Sequence, residues 1–448
     1  MSSREEVVPK SHGYRLNHNL KGLFHMKCRS ECSRLNSLSS PVRRVPIIQW
    51  LYLAAVVIFS VSSASDSFAQ GRHWVTCYYP GWEVGNGTNS NPPLNVVNFS
   101  SMTAVVYFGF TPYPDGAIDT SDNMSSEGSN ALVLDAHAAG TAVIMGIGGW
   151  QTQKQFEGAT RPAELDTFVR NIVKFVRRNH YDGVDIDWEP LTNSDYAAFA
   201  NLTKALRAAL PHPYILTAAT SSGAQNLMAS LYRYFDEINL MTYDLSFPSD
   251  GWVTWYNSAL YDDGITVGWS KPVPACDNIV RKFTGAGVPA SKIGIGAELG
   301  GAVWRGGLMS DGKGVTGPDQ KWISPPSVRF DVPLYWHDGS GIMQKYYSKS
   351  DERWDPIAKV PYLSIHAARN SGDMFVSYDD SASIAAKAAY VKKKRLGGII
   401  LYELGWGYPG DGKYPLLGAA GNAFGKSLER LSMFHGMKRI RLSARQRH

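Results

Sequence analysis

The segment Tyr181-Asp182-Gly183-Val184-Asp185-Ile186-Asp187-Trp188-Glu189-Pro190 decides how this chain is read. Its composition is that of a buried strand, with side chains alternating between two sides. Asp185, Asp187 and Glu189 fall on one side, and Val184, Ile186 and Trp188 on the other. Same-side neighbours on a strand stand about 6.5–7 Å apart. Three carboxylates in such a row repel one another, and burial adds to the cost of ionisation. At least one proton is therefore expected to be retained or shared. A carboxylic acid still protonated near neutral pH is what a general acid requires. Such oxygens also suit a hard divalent cation. However, the strand supplies no further ligand-like spacing, so no metal and no cofactor is expected.

Seven more short apolar or β-branched runs surround this one, at 74–79, 104–110, 142–147, 214–219, 237–242, 292–297 and 398–403. Strands buried on both faces read this way. Helical patterns lie between them. The clearest covers 162–179, where Leu165, Phe168, Val169, Ile172, Val173 and Val176 share one face and Arg170, Lys174, Arg177 and Arg178 the other. Pro162 suits its first turn. Eight strands with intervening helices predict an α/β fold, a (β/α)8 TIM barrel over 70–425. The gap between the seventh and eighth runs is too long for one helix. Its segments VPLYWH, KVPYLSI and DMFVSYD read as extra strands, giving a small α+β insertion at 310–378. In a barrel, the acidic side of 181–190 faces the interior.

The chain has 448 residues, 44% hydrophobic and 19% charged, which excludes global disorder. The net charge of +6 is carried by the ends. Nine basic and three acidic residues in 1–44, with seven and one in 426–448, leave the segment between them at −6. A mildly acidic body argues against a nucleic-acid partner. Arg43 and Arg44, the apolar run 45–61 and the small-residue stretch ending in Ser67-Phe68-Ala69 predict a signal peptide within a leader of 1–69, and hence a secreted protein. An uncleaved membrane anchor is the alternative. The basic tail 426–448 has no functional reading. Outside the leader the cysteines are Cys77 and Cys276, read as two buried thiols in preference to a disulfide.

The order D-G-x-D-x-D-W-E-P resembles the signature of family 18 glycoside hydrolases, the chitinases and their relatives. Gly146-Ile147-Gly148-Gly149-Trp150 resembles the family's SxGG element, with Gly146 where serine is usual. Asn239-Leu240-Met241-Thr242-Tyr243-Asp244 resembles its MxYD element. The first strand, Cys77-Tyr78-Tyr79-Pro80-Gly81-Trp82, and the second, Val106-Tyr107-Phe108-Gly109-Phe110, are similar to their family counterparts. Two positions depart from the pattern: Gly296-Ala297-Glu298-Leu299-Gly300 replaces a stretch that often carries Pro and Tyr, and Tyr402 stands at the usual Trp of the eighth strand, with Trp406 four residues on.

The resemblance implies a glycosidase acting on β-1,4-linked N-acetylglucosamine polymers, and no stable protein partner is implied. It implies Glu189 as general acid and Asp187 as the group that holds the substrate acetamide. Asp185 would share a proton with Asp187, and Tyr243 would orient the acetamido oxygen. The substrate's own carbonyl then replaces an enzyme nucleophile. Tyr78, Trp82, Phe110, Gly149, Trp150, Met241, Asp244, Trp252, Tyr402 and Trp406 are expected to line the sugar subsites. Trp255 is a further stacking candidate. Asp182 is read as structural. Glycan-core and peptidoglycan hydrolases, and a lectin-like binder, are the alternatives on the same scaffold.

Overall fold

The computed structural model describes residues 73–81, 94–121, 126–246, 253–267, 271–307, 312–322, 329–331, 335, 341–409 and 413–425. The leader with its apolar run, the basic tail, Trp82 and Trp252 lie outside these residues. So does nearly all of VPLYWH.

Eight parallel strands close on themselves: β1 (Trp74–Pro80), β2 (Ala104–Pro112), β3 (Ala142–Gly149), β4 (Gly183–Trp188), β5 (Ile215–Thr220), β6 (Glu237–Leu240), β7 (Ile293–Glu298) and β8 (Gly398–Tyr402). Each pairs with its neighbours in chain order, and β1 also pairs with β8 to complete the ring. The fold is a (β/α)8 barrel. Its helices are α1 (Ser126–Ala138), α2 (Gln153–Ala159), α3 (Leu165–Arg178), α4 (Tyr196–Ala209), α5 (Gln225–Leu231), α6 (Cys276–Gly285), α7 (Ser381–Lys394) and α8 (Pro415–Phe424). In α3, Phe168, Val169, Ile172 and Val176 are buried, while Arg170, Lys174, Arg177 and Arg178 are exposed. The helix starts at Leu165, and Pro162 sits in the turn before it. Among the described residues no helix is long and apolar enough to cross a membrane.

Period-two alternation divides the strand side chains between an outer side, packed on the helices, and the barrel interior. Val184 and Ile186 join the large outer cluster, and Trp188 stacks on Phe156 of α2 at 4.6 Å and 9°. A separate cluster fills the barrel interior, including Tyr78, Val106, Phe108, Ile144 and Tyr243. Asp182 is structural. Its Oδ2 meets His137 Nε2 at 2.7 Å and accepts from the Val143 amide at 2.8 Å, tying α1 to β3.

Between β7 and β8 stands a five-stranded antiparallel sheet made of Gly301–Arg305, Arg329–Asp331, Glu352–Asp355, Val360–Ile365 and Met374–Tyr378. It begins with Gly301, ahead of position 310. Its own core holds Trp255, fully buried with Nε1 donating to the Pro274 carbonyl at 2.9 Å. Trp255 is therefore not a stacking platform. Cys77 and Cys276 are both buried free thiols.

Candidate active site

The C-terminal end of β4 carries the acid row into the barrel mouth, the end where barrel sites form. Asp185 is fully buried. Tyr78 Oη donates to its Oδ2 at 2.9 Å, and Thr217 Oγ1 to its Oδ1 at 2.5 Å. Burial pushes its pKa up to about 6, and the two hydroxyls hold it from rising further. Asp187, one layer higher, is also buried, but its Oδ1 accepts no hydrogen bond from any described residue. Burial, then the charges of Glu189 and Asp185, hold Asp187 well above the usual carboxylate range. Glu189 is half-buried at the rim. Burial, then the charge of Asp244, pushes its pKa up to about 7. The row thus contains one carboxyl held by two donors, one with an oxygen that no described residue donates to, and one poised near neutrality.

Backbone from β3 lets the row sit where it does. Gly148 has φ 115°, and a Cβ there would run into the Asp187 carbonyl. Gly149 lies against the Phe108 ring, and Trp150 just beyond it is 73% exposed at the mouth. Opposite, the end of β6 supplies Tyr243, buried, and Asp244, open to solvent with φ 51°. Burial and then the charge of Asp187 hold the Tyr243 hydroxyl well above its ordinary value. The Tyr243 ring stacks on Tyr402 at 5.9 Å and 18°, and Tyr402 meets Trp406 edge-on at 5.3 Å. Tyr402 also packs on Tyr78 and Phe108, while Met241 lies half-buried against the interior cluster.

The family model described as "Glycosyl hydrolases family 18" matches residues 74–406. The chain belongs to glycosyl hydrolase family 18. It is 29% identical to Chitinase A1 of Niallia circulans over 294 residues, covering 58% of this chain and 40% of that protein. Its identity to Chitinase B of Serratia marcescens is 28% over 351 residues, 64% of this chain and 68% of that protein. The crystal structure of an Ostrinia furnacalis Group IV chitinase in complex with allosamidin superposes with a TM-score of 0.66 at 22% identity, over 80% of this chain and all of that one. The chain thus spans well under half the length of the first of these relatives.

Within this family 18 site, most of the sequence-predicted residues converge: Asp185, Asp187, Glu189, Tyr243, Asp244, Tyr78, Gly149, Trp150, Met241, Tyr402 and Trp406. Phe110 does not. It is fully buried on the outer side, 4.8 Å from Phe175 of α3. The register slips between Phe108 and Phe110, with Gly109 at φ 126°. That bulge adds one residue and turns Phe110 away from the interior, leaving Phe108 as the inward ring. Tyr78 faces inward but acts as a hydrogen-bond donor to Asp185, not as a stacking surface.

Three residues escaped the sequence reading. Thr217 supplies the second hydroxyl on Asp185. A Cβ at Gly146 would lie 2.5 Å from Val106 Cγ1 and 2.9 Å from Phe108, so the serine usual there in the family would crowd both side chains. Glu298 stands at the end of β7, its Oε2 accepting from Asn257 Nδ2 at 2.6 Å. The alternation Gly294, Gly296, Glu298 was the signal for it. Asn257 sits in a loop whose sequence carried none.

Proposed function

We propose that the protein is a secreted glycosidase that cleaves β-1,4-linked N-acetylglucosamine chains with retention, using the substrate's own acetamide as nucleophile. The observation that carries this reading is the graded acid row, above all the buried and unpartnered Oδ1 of Asp187. A buried carboxyl oxygen without a donor is costly. An acetamide N–H at that place satisfies it.

On this reading Glu189, protonated below about pH 7, gives its proton to the glycosidic oxygen as the bond to C1 breaks. The acetamido carbonyl oxygen attacks C1 from the other face, and Tyr243 Oη orients it. Near-attack placement of this kind is worth several orders of magnitude in rate. Asp187 accepts the amide N–H, and its charge, shared with Asp185, offsets the cation that develops on the ring. Glu189 then takes a proton from water as water opens the cyclic intermediate. Tyr402 and Trp406 offer the floor for the sugar at the cleaved bond, and Trp150 the platform beyond it. The curated relatives named as chitinases support chitin as the polymer. The order of basic, apolar and small residues at 43–69 supports export.

Incubation with chito-oligosaccharides and, separately, peptidoglycan tests the reading by product analysis. Shortened chito-oligosaccharides with retained β-configuration are expected. Products from peptidoglycan alone would replace the substrate assignment.

A further inference from the structure

Glu298 is a buried acid in the barrel mouth that the mechanism above leaves without a task. On β7, Ile293, Ile295 and Ala297 join the outer core, so Gly294, Gly296 and Glu298 point inward. A Cβ at Gly296 would meet the Tyr243 ring at 2.7 and 2.8 Å. The inward column of β7 therefore runs directly beside Tyr243, and Glu298 caps it. β7 lies between β6 and β8, with Glu298 in register with Tyr402. The carboxyl thus stands on the wall between the two stacked tyrosines and is only 2% exposed.

Its anchor leads back to the acid site. Asn257 Nδ2 donates to Glu298 Oε2 at 2.6 Å, while the Asn257 carbonyl accepts from the Leu245 amide at 3.0 Å. Leu245 directly follows Asp244, whose backbone occupies the left-handed region. A third bond, from the Asn257 amide to Ser377 Oγ at 2.8 Å, fixes the bridge to the sheet of the insertion. Just before Asp244, Thr242 Oγ1 exchanges hydrogen bonds with the Gly296 carbonyl and amide, both at 2.8 Å. The segment 242–245 is thus clamped to β7 on both sides of Tyr243 and Asp244.

We propose that Glu298 is a positioning residue that, through Asn257, holds Asp244 facing Glu189 and so sets how firmly Glu189 keeps its proton. Glu298 does this as a neutral acid. Burial, then the charge of Asp244, holds its pKa well above the carboxylate range, and the nearby Lys387 is engaged by Asp379. A second anion at 298 would drive Asp244 off, whereas a protonated carboxyl does not. The groups that bear on Glu298 are Asp244 and Tyr243 at the end of β6, Tyr402 on β8, and Asp379 with Lys387 beside α7. Those that bear on Glu189 are Asp244, Asp187, Tyr243 and Tyr402.

The inference rests on Glu189 being the general acid. It is tested on the full chain with chitotetraose, from the pH dependence of kcat/KM for wild type, E298Q, E298A, N257A, D244N and E298A/D244N. Glutamine keeps both the shape and the neutral state, so E298Q should retain the wild-type alkaline limb. In E298A, and in N257A, which cuts the same bridge from its other end, Asp244 is released and Glu189 loses its proton sooner. The limb should move down by about half a unit to one unit, and kcat should fall about tenfold with KM little changed. E298A should shift the limb no further in the D244N background. A wild-type limb in both E298A and N257A, or an equal shift with and without Asp244, would overturn the proposal. If the wild type turns over no chito-oligosaccharide, it is the proposed function that fails. The titration of Glu189 by carboxyl carbon NMR in the same variants then decides the positioning role by the same criteria.

Discussion

Two groups of buried charge in this molecule are built on opposite terms. Lys387 on α7 and Asp379 just before it are both buried, and Lys387 Nζ lies 2.6 and 2.5 Å from the two carboxyl oxygens. Ser258 Oγ accepts a third bond from Lys387 at 2.8 Å, and Ser383 Oγ donates to Asp379 at 2.6 Å. The two charges there are matched, and both oxygens of Asp379 accept hydrogen bonds. In the barrel mouth, the described residues give the stack of Asp185, Asp187 and Glu189 two hydroxyl donors, both on Asp185, and leave Oδ1 of Asp187 without one. Burying charge is tolerable when it is paired and hydrogen-bonded. Where it is not, the group keeps a proton or awaits a ligand. The first arrangement holds α7 to the loop after β6, and the second stores the electrostatic tension that a substrate can relieve.

The widest gap between the two regions should appear in catalysis. Glu189→Gln should abolish turnover of the natural polymer while oligosaccharide binding persists. General acid catalysis is worth about 10²–10⁴-fold, and with so poor a leaving group the loss should reach the upper end. Asp187→Asn should be slow for another reason, loss of the charge facing the cation. A substrate with a good leaving group should partly rescue Glu189→Gln and leave Asp187→Asn unrescued; equal rescue of both would contradict the division of roles.

Next in size is stability at the matched pair. Lys387→Met leaves Asp379 buried and alone, and should cost about 3–5 kcal/mol in denaturant unfolding. The double variant Lys387→Met/Asp379→Leu should recover most of that loss. If it does not, the pair contributes more than charge compensation.

A smaller effect is expected where the acid row borrows a donor. Thr217→Val removes one hydroxyl from Asp185 and favours its protonated form, raising a pKa already at about 6. The row must carry negative charge for the cation to form, so the acidic limb of kcat against pH should move upward by about one unit. An unmoved limb would mean that Tyr78 alone holds Asp185. The smallest effect is none at all. EDTA should leave the rate unchanged, because the oxygens of Asp185 that a cation would take already accept from hydroxyls. Loss of activity on chelation, restored by a divalent cation, would refute this.

Much of the barrel was legible because its signals are local. Strands buried on both faces are short apolar runs, and each of the eight expected runs overlaps a strand of the ring to within a few residues. The acid row was legible because alternation along one strand needs no knowledge of neighbours. Phe110 was misplaced for the complementary reason: alternation holds only while the register holds, and the bulge at Gly109 is set by β2 and β3 together. The indole of Trp255 looked like one of a mouth cluster, yet it fills the core of the inserted sheet. Nothing local separates a ring that faces sugar from one that faces another strand.

The order of residues alone therefore determined the class of fold, the strand that carries the acids and the side on which they stand. These follow from period, hydrophobicity and charge within a single segment. The tertiary structure decided which groups touch the row. Thr217 and Tyr78 meet Asp185 across 32 and 107 residues of chain, and Asn257 meets Glu298 across 41. Proton affinity is set by burial and by donors, and both come from other strands of the closed ring. The raised proton affinity of the three acids, about 6 at Asp185, about 7 at Glu189 and well above the usual carboxylate range at Asp187, is thus a property of the barrel and not of the motif.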